Sequence, residues 1–183
     1  VGVKDNQLFF VGNTMIDSLR SNLTKIRKPA IWDEKELITG KYFVLTLHRP
    51  SNVDDLAKFS GLMESIDSGS GVPVIFPVHP RTRKNFSVLT KLPNNIIPVD
   101  PLSYLEFIYL IKNAKGVITD SGGVQEETTV LGIPCVTLRN NTERPETVAI
   151  GTNEMIGENM NSLAAAFIKI NSGGWKKGAI PEL

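Results

Sequence analysis

The sequence predicts an α/β fold: a doubly wound, mostly parallel sheet with helices on both faces. Three observations carry this. Apolar runs of about four to eight residues recur along the chain, amphipathic helical patterns separate them, and polar or cationic residues collect where the runs end. A parallel neighbour can be reached only through a crossover long enough to hold a helix, so strand-helix alternation and a parallel sheet imply each other.

The first forty residues hold one predicted helix, 14–23, after "GN", and a polar stretch that ends at Gly40. "KYFVLTLH" (41–48) is rich in β-formers and reads as the first strand. In 53–66, Leu56, Phe59, Met63 and Ile66 recur at helical spacing. "VPVIFPVH" (72–79) is the second strand, a helix is predicted within 82–92, and "NIIPV" (95–99) is the third strand. Residues 103–114 form a helix apolar on most sides, hence deeply packed. "GVIT" (116–119), a helix over 122–131, "PCVTL" (134–138), a weaker strand at "NEMI" (153–156) and a helix over 162–170 complete the pattern.

Composition narrows the function classes. A chain of 183 residues, 41% hydrophobic and 21% charged, suits one compact domain with a sizeable core. The net charge of +1 supplies no general field for nucleic acid or an anionic membrane, so any anion site must be local. The single Cys135 lies in an apolar run and reads as a small buried thiol; with no disulfide framework within the chain, a reducing, cytoplasmic setting is expected. No apolar run is long enough to span a bilayer, and "VGVKDNQLFF" does not read as a signal sequence. The Val start and the closing "GGWKKGAIPEL" suggest a piece of something longer.

In open α/β sheets, ligands bind beyond the carboxyl ends of the strands. Both histidines of the chain sit there: His48 in "LTLHRP" and His79 in "FPVHPR", with Arg49, Arg81 and Arg83 adjoining. "PCVTL" runs into "RNNTERPE", adding Arg139 and Arg144, and "GVIT" runs into Asp120-Ser121. A strand-end histidine is ordinarily a packing residue. Two at one edge, each beside arginine, favour a site for an anionic ligand.

The turn "DSGG" then asks why two poor helix formers should open a helix. Ser121 is placed to N-cap it, leaving the amides of Gly122, Gly123 and Val124 as first-turn donors. Glycine lets a phosphate approach without meeting a Cβ, at a propensity cost of about 1 kcal/mol each, and the helix dipole favours the anion. Glu127 lies about 9 Å further along the helix, where its carboxylate could accept a ribose diol instead of meeting phosphate. A diphosphate seat and an ordinary Gly-rich turn with helix-dipole glutamates both fit this stretch alone.

Competing motifs fail. There is no G-x-G-x-x-G after an early strand and no G-x-x-x-x-G-K-[ST]. Ser121 lacks the preceding glycine of a nucleophile elbow, and one cysteine with two separated histidines makes a poor zinc site. Neither a metal nor a cofactor is expected.

"TDSGGVQEETTVLGIPCVTLRNNTERPETVAIGTNEMIG" resembles the signature of the non-hydrolysing UDP-N-acetylglucosamine 2-epimerases, and "VGNTMIDSL", "LTLHRPSNVD" and "VDPLSYLEFIYLIKNA" are similar to that family's segments in the same order. The resemblance runs from Val11 to about Gly157. It implies the glycosyltransferase-B architecture, two Rossmann-like domains facing a cleft. This chain corresponds to the carboxyl-terminal, UDP-binding half: 1–183 as one domain, 1–40 on the side of the interdomain crossover, 172–183 a truncated tail, and the amino-terminal domain absent.

The resemblance further implies that Ser121, Gly122 and Gly123 bind the UDP phosphates and that Glu127 holds the ribose. The "VDPLSY" loop would face the uracil with Phe107 nearby, although Phe107 equally suits a buried helix. His48 matches the histidine at the family's reaction centre; Arg49, Arg144 and, less tightly, His79 would complete the anionic pocket. The family commonly shows His-Arg-x-Glu-Asn, whereas here the run is His48-Arg49-Pro50-Ser51-Asn52, so the hydrogen bond of that glutamate is absent or rerouted. The implied activity interconverts UDP-N-acetylglucosamine and UDP-N-acetylmannosamine by elimination and re-addition of UDP, feeding cell-surface polysaccharide synthesis. The acid-base carboxylates would come from the other domain, and the full-length protein would pair as a homodimer. A sugar transferase of the same architecture, a hydrolysing epimerase and a non-catalytic nucleotide-sugar binding module are the alternatives.

Overall fold

A computed structural model describes residues 2–9, 11–89, 93–157 and 159–181, without the side chains of Asp5 and Arg81. A 3-10 turn at Asp5–Gln7 precedes α1 (Thr14–Asn22) and α2 (Ala30–Glu34). Next come β1 (Phe43–Thr46), α3 (Pro50–Val53), α4 (Leu56–Ser70) and β2 (Val74–Pro77). They lead to α5 (Pro80–Ser87), β3 (Ile96–Val99), α6 (Tyr104–Asn113) and β4 (Gly116–Thr119). The order closes with α7 (Gly122–Leu131), β5 (Cys135–Thr137), α8 (Pro145–Ala149), β6 (Asn153–Met155) and α9 (Met160–Asn171).

Among the described residues the strands form one six-stranded sheet in the order β3-β2-β1-β4-β5-β6, with every pairing parallel. This is the doubly wound topology. The strand order reverses between β1 and β4, and the crevice beyond that pair is where such sheets bind ligands. Side chains alternate between the two faces as strand geometry requires. Phe43, Leu45, Val74, Phe76, Ile118 and Val136 join one core, under α4 and α9. Tyr42, Val44, Ile75 and Val117 join the other, with Leu19 of α1, Ile108 and Ile111 of α6 and Val124 of α7. Fully burying each large apolar side chain stabilises the fold by roughly 1.5–3 kcal/mol. Cys135 is completely buried, and burial pushes its thiol up to about 11.

Several boundaries differ from expectation for local reasons. The helix expected over 53–66 is α4, which the Asp55 carboxylate caps by accepting Lys58 N at 3.0 Å and which runs on to Ser70. Pro50 opens the separate, unexpected α3, which ends at Val53. The helix expected within 82–92 begins at Pro80, where the carbonyl of His79 accepts the N–H groups of Thr82 and Arg83; residues 90–92 of that expectation lie outside the described residues. Asn159 caps α9 and starts it two residues early, at Met160. The short α2 and α8 were not expected at all, since five residues give no readable period.

Residues after α9 are stitched onto the β6 side of the sheet. Trp175 Nε1 donates to Thr152 O at 2.7 Å, and Ala179 N donates to Ile150 O at 2.7 Å. Between them Gly178 turns at φ +65°, and a Cβ there would stand 2.6 Å from the Gly151 carbonyl carbon. Only glycine fits so close to a neighbouring backbone. No helix of the described residues is long and apolar enough to cross a membrane.

Candidate functional site

β1 and β4 end side by side at the reversal of strand order, with Thr46 paired to Thr119. Their hydroxyls meet at 2.7 Å, and Thr119 Oγ1 also accepts Ser121 N at 3.0 Å. This chain of hydroxyls fixes where the strand leaves the sheet and α7 begins. Ser121 holds the N-cap position in extended backbone (φ −92°, ψ 132°), but its side chain makes no capping bond. The expected serine cap is therefore not formed, and the head of α7 keeps its donors for an incoming acceptor. At Gly122 an added Cβ would meet only ordinary contacts with Glu143 and Arg139; at Gly123 it would stand 3.1 Å from Met15 Cε. Gly123 thus also lets the head of α1 approach the head of α7.

Asp120, fully buried, is the hub of the strand ends. Its carboxylate accepts His48 N at 3.1 Å, Arg49 N at 2.9 Å and Asn52 Nδ2 at 3.2 Å, and it lies 2.8 Å from His48 Nδ1. Burial alone would raise its pKa; the hydrogen bonds from His48, Arg49 and Asn52 more than offset that and hold it below the usual carboxylate value. Asn52 spends another contact on Leu138 O at 3.0 Å, and Arg49 Nε donates to Asp120 O at 3.0 Å. Ser51, at the position where the sequence resemblance led to an expected glutamate, offers its carbonyl to Lys58 Nζ at 2.6 Å. The half-buried His48 ring lies 6.0 Å, centroid to centroid, from the ring of His79, which is exposed.

The arginines gathered at this edge are not equally available. Arg139 is buried and locked to Glu143 in a bidentate pair, 2.8 and 2.7 Å. That pairing, led by the hydrogen bond from Arg139, pulls the Glu143 carboxyl down to about 2. Arg83 reaches Asp100 at 2.5 Å, beside a cleft of about 590 Å³ bordered by Val78, Phe86 and the "VDPL" stretch. Arg144 Nε lies 2.8 Å from Glu126 Oε1, close enough for an ion pair though off the angle of a hydrogen bond. Glu126 also accepts a short bond from Asn13 Nδ2, whose own Oδ1 caps α1.

The two glutamates of α7 therefore face different neighbours, as their roughly 100° separation on a helix requires. Glu126 faces α1 and Arg144. Glu127 faces α6, where the Tyr104 hydroxyl donates to it. Burial and the neighbouring Glu126 charge outweigh that bond and push Glu127 up to about 7. Phe107 is half-buried against the core on the α6 side of the sheet. The structure thus brings His48, Arg49 and Ser121 together around Asp120, with Glu127 nearly two helix turns further along α7 and Phe107 in the packing of α6. Sequence reasoning assigned no role to Asp120, Asn52 or Glu126, and placed Tyr104 only within the loop expected to face the uracil, not against Glu127. An acid directly after a short buried-type strand was the available signal for Asp120; the others depend on tertiary neighbours.

A family model described as UDP-N-acetylglucosamine 2-epimerase matches residues 1–178. The chain belongs to that family. Among its relatives, the UDP-N-acetylglucosamine 2-epimerase of Methanocaldococcus jannaschii is 42% identical over 90% of this chain and 48% of its own length. That of Methanococcus maripaludis is 43% identical over 93% and 50%. A crystal structure of the M. jannaschii epimerase in complex with UDP-GlcNAc and UDP superposes with a TM-score of 0.81 at 39% identity, covering 97% of this chain and 52% of that one. The chain spans about half the length of the curated relatives it matches. An Escherichia coli heptosyltransferase, 17% identical with a TM-score of 0.54 over 85% of this chain and 47% of its own, shares the fold alone. Family members and this more distant neighbour agree on the Rossmann-like, glycosyltransferase-B type of architecture.

Proposed function

We propose that this chain is the UDP-binding half of an epimerase that interconverts UDP-N-acetylglucosamine and UDP-N-acetylmannosamine. One observation carries the reading: the uncapped, glycine-opened head of α7 stands at the reversal of strand order, directly beside the His48–Asp120 pair. Ser121, Gly122 and Gly123 take the diphosphate through backbone amides and the helix dipole. Glu127 accepts the ribose diol, and the loop before α6, with Phe107, borders the uracil. His48 sits at the departing oxygen, while Arg49, Arg144 and His79 offset the anion's charge. Arg144 reaches that role from its pairing with Glu126, so its charge is shared rather than free.

The chemistry asks little more of this half. Loss of the proton at C2 and cleavage of the C1–O bond release UDP and leave a 2-acetamidoglucal; re-addition returns UDP to C1 and a proton to the other face of C2. Negative charge grows on the departing diphosphate, where preorganised amides act without reorganising. Acid and base groups at C2 come from a facing amino-terminal domain. In this arrangement residues 1–183 form one domain, with 1–40 on the crossover side and 172–183 as its tail. The complete protein is cytoplasmic, pairs with a second copy and serves surface-polysaccharide synthesis.

The test is calorimetric titration of the chain with UDP, together with a turnover assay on UDP-N-acetylglucosamine. Weak UDP binding without turnover is expected, and a sugar acceptor should not provoke UDP release. Robust epimerisation by this chain alone would overturn the half-site reading.

A further inference from the structure

A buried carboxylate beside a diphosphate seat is electrostatically costly, and nothing in seating UDP requires one. Asp120 is nevertheless fully buried one residue before Ser121. Its four donors explain how its charge is tolerated; only one of them, His48 Nδ1, belongs to a group that could act on a ligand. The two backbone N–H groups and Asn52 hold the carboxylate still, and Asn52 is itself tied to Leu138 O at the end of β5. A carboxylate accepts and cannot donate, so the 2.8 Å contact requires hydrogen on Nδ1. The other ring nitrogen, Nε2, then lies on the far side of an imidazole whose side chain is 43% exposed.

We propose that Asp120 is a positioning residue that fixes His48 as the Nδ1–H tautomer and orients its ring so that Nε2 faces the departing diphosphate oxygen. The proposal rests on the UDP-seat reading for what Nε2 faces, but not for the tautomer. Neutral, such a ring presents a lone pair at Nε2. Protonated, it presents an Nε2–H donor whose positive charge Asp120 offsets. The same ring can therefore receive a proton in one direction of a reversible reaction and return it in the other. Among the described residues, charged side chains near the pair include Arg49, whose Nε binds the Asp120 carbonyl and whose guanidinium lies 3.9 Å from Glu143, and Arg139, which Glu143 neutralises.

The chain contains two histidines, which makes the test direct. Nitrogen-15 labelling of the imidazoles, with His79→Gln for assignment, reports the tautomer of His48 at a pH where both rings are neutral. Wild type should give an Nδ1–H ring. In Asp120→Asn the amide oxygen can keep the backbone N–H groups while its NH₂ faces Nδ1, so the ring should shift to the Nε2–H form. An Nε2–H ring in wild type would overturn the proposal whether or not Asp120→Asn folds. An unchanged tautomer in a folded Asp120→Asn protein, judged by an unmoved His79 pattern, would overturn it too. Adding UDP should move Nε2 of His48 more than Nδ1. An Nδ1–H ring whose Nε2 ignores UDP, while UDP binds elsewhere by titration, would overturn the placement of Nε2 at the diphosphate and leave the tautomer assignment standing.

Discussion

Glu127 shows a proposed function set against stability within one side chain. Its pKa is raised from about 4.5 to about 7 by burial and by Glu126, against the Tyr104 hydrogen bond. A raised carboxyl stabilises the fold fully below its unfolded value and loses that contribution as pH climbs through the folded one. Glu127→Gln should therefore stabilise the fold at about pH 8 by at most on the order of 3 kcal/mol, read as a raised thermal midpoint, and change little at about pH 4. The charged form is also the one that accepts a ribose diol well. Preference for UDP over 2′-deoxy-UDP should grow between about pH 6 and pH 8 in wild type and stay flat in Glu127→Gln. A flat wild-type profile would move the diol away from Glu127. Asp120 behaves in the opposite sense: its lowered pKa contributes stability that is present at neutral pH and lost on acidification.

At the scale of elements, α7 is a junction. Its Glu126 joins α1 through Asn13 and the segment before α8 through Arg144, while Gln125 Oε1 accepts Thr142 Oγ1 at 2.6 Å. Glu126→Ala strands an arginine and an N-cap side chain together. It should lower stability by about 2 kcal/mol, less than a fully buried pair would lose because Arg144 is 38% exposed. Glu127→Ala should instead keep the thermal midpoint and weaken UDP binding by about 1.5–3 kcal/mol. Paired melting and titration curves separate the two; equal effects on both would deny the helix its division of labour. Much of this element was legible beforehand. "DSGG" announced its start, and Gly132, in the left-handed region at φ +70°, ends it as a C-terminal glycine should. The short α3 and α8 were not legible, because each begins at a proline and ends before any amphipathic period can register. Nor did "LTLHRP" and "VITD" reveal that their ends touch. That depends on β1 and β4 being neighbours, and their Thr46–Thr119 contact spans 73 residues of sequence.

The whole molecule inherits a consequence from that same long-range pairing. A segment running from β1 through β2 to β3 can pair its strands sequentially, and so can one running from β4 through β5 to β6. Neither segment alone owns the site, because His48 belongs to the first and Asp120 and Ser121 to the second. Closing a large chain loop costs entropy that only later contacts repay, so non-local parallel pairing is slow. On refolding from denaturant, helical circular dichroism should therefore recover before the chain regains any capacity to bind UDP. A double jump with the nucleotide added at successive delays would measure the lag, and simultaneous recovery of both signals would show that the central pair zips first. Strand order thus makes ligand competence a late event in folding, and a half-folded chain is kept from sequestering nucleotide it cannot use.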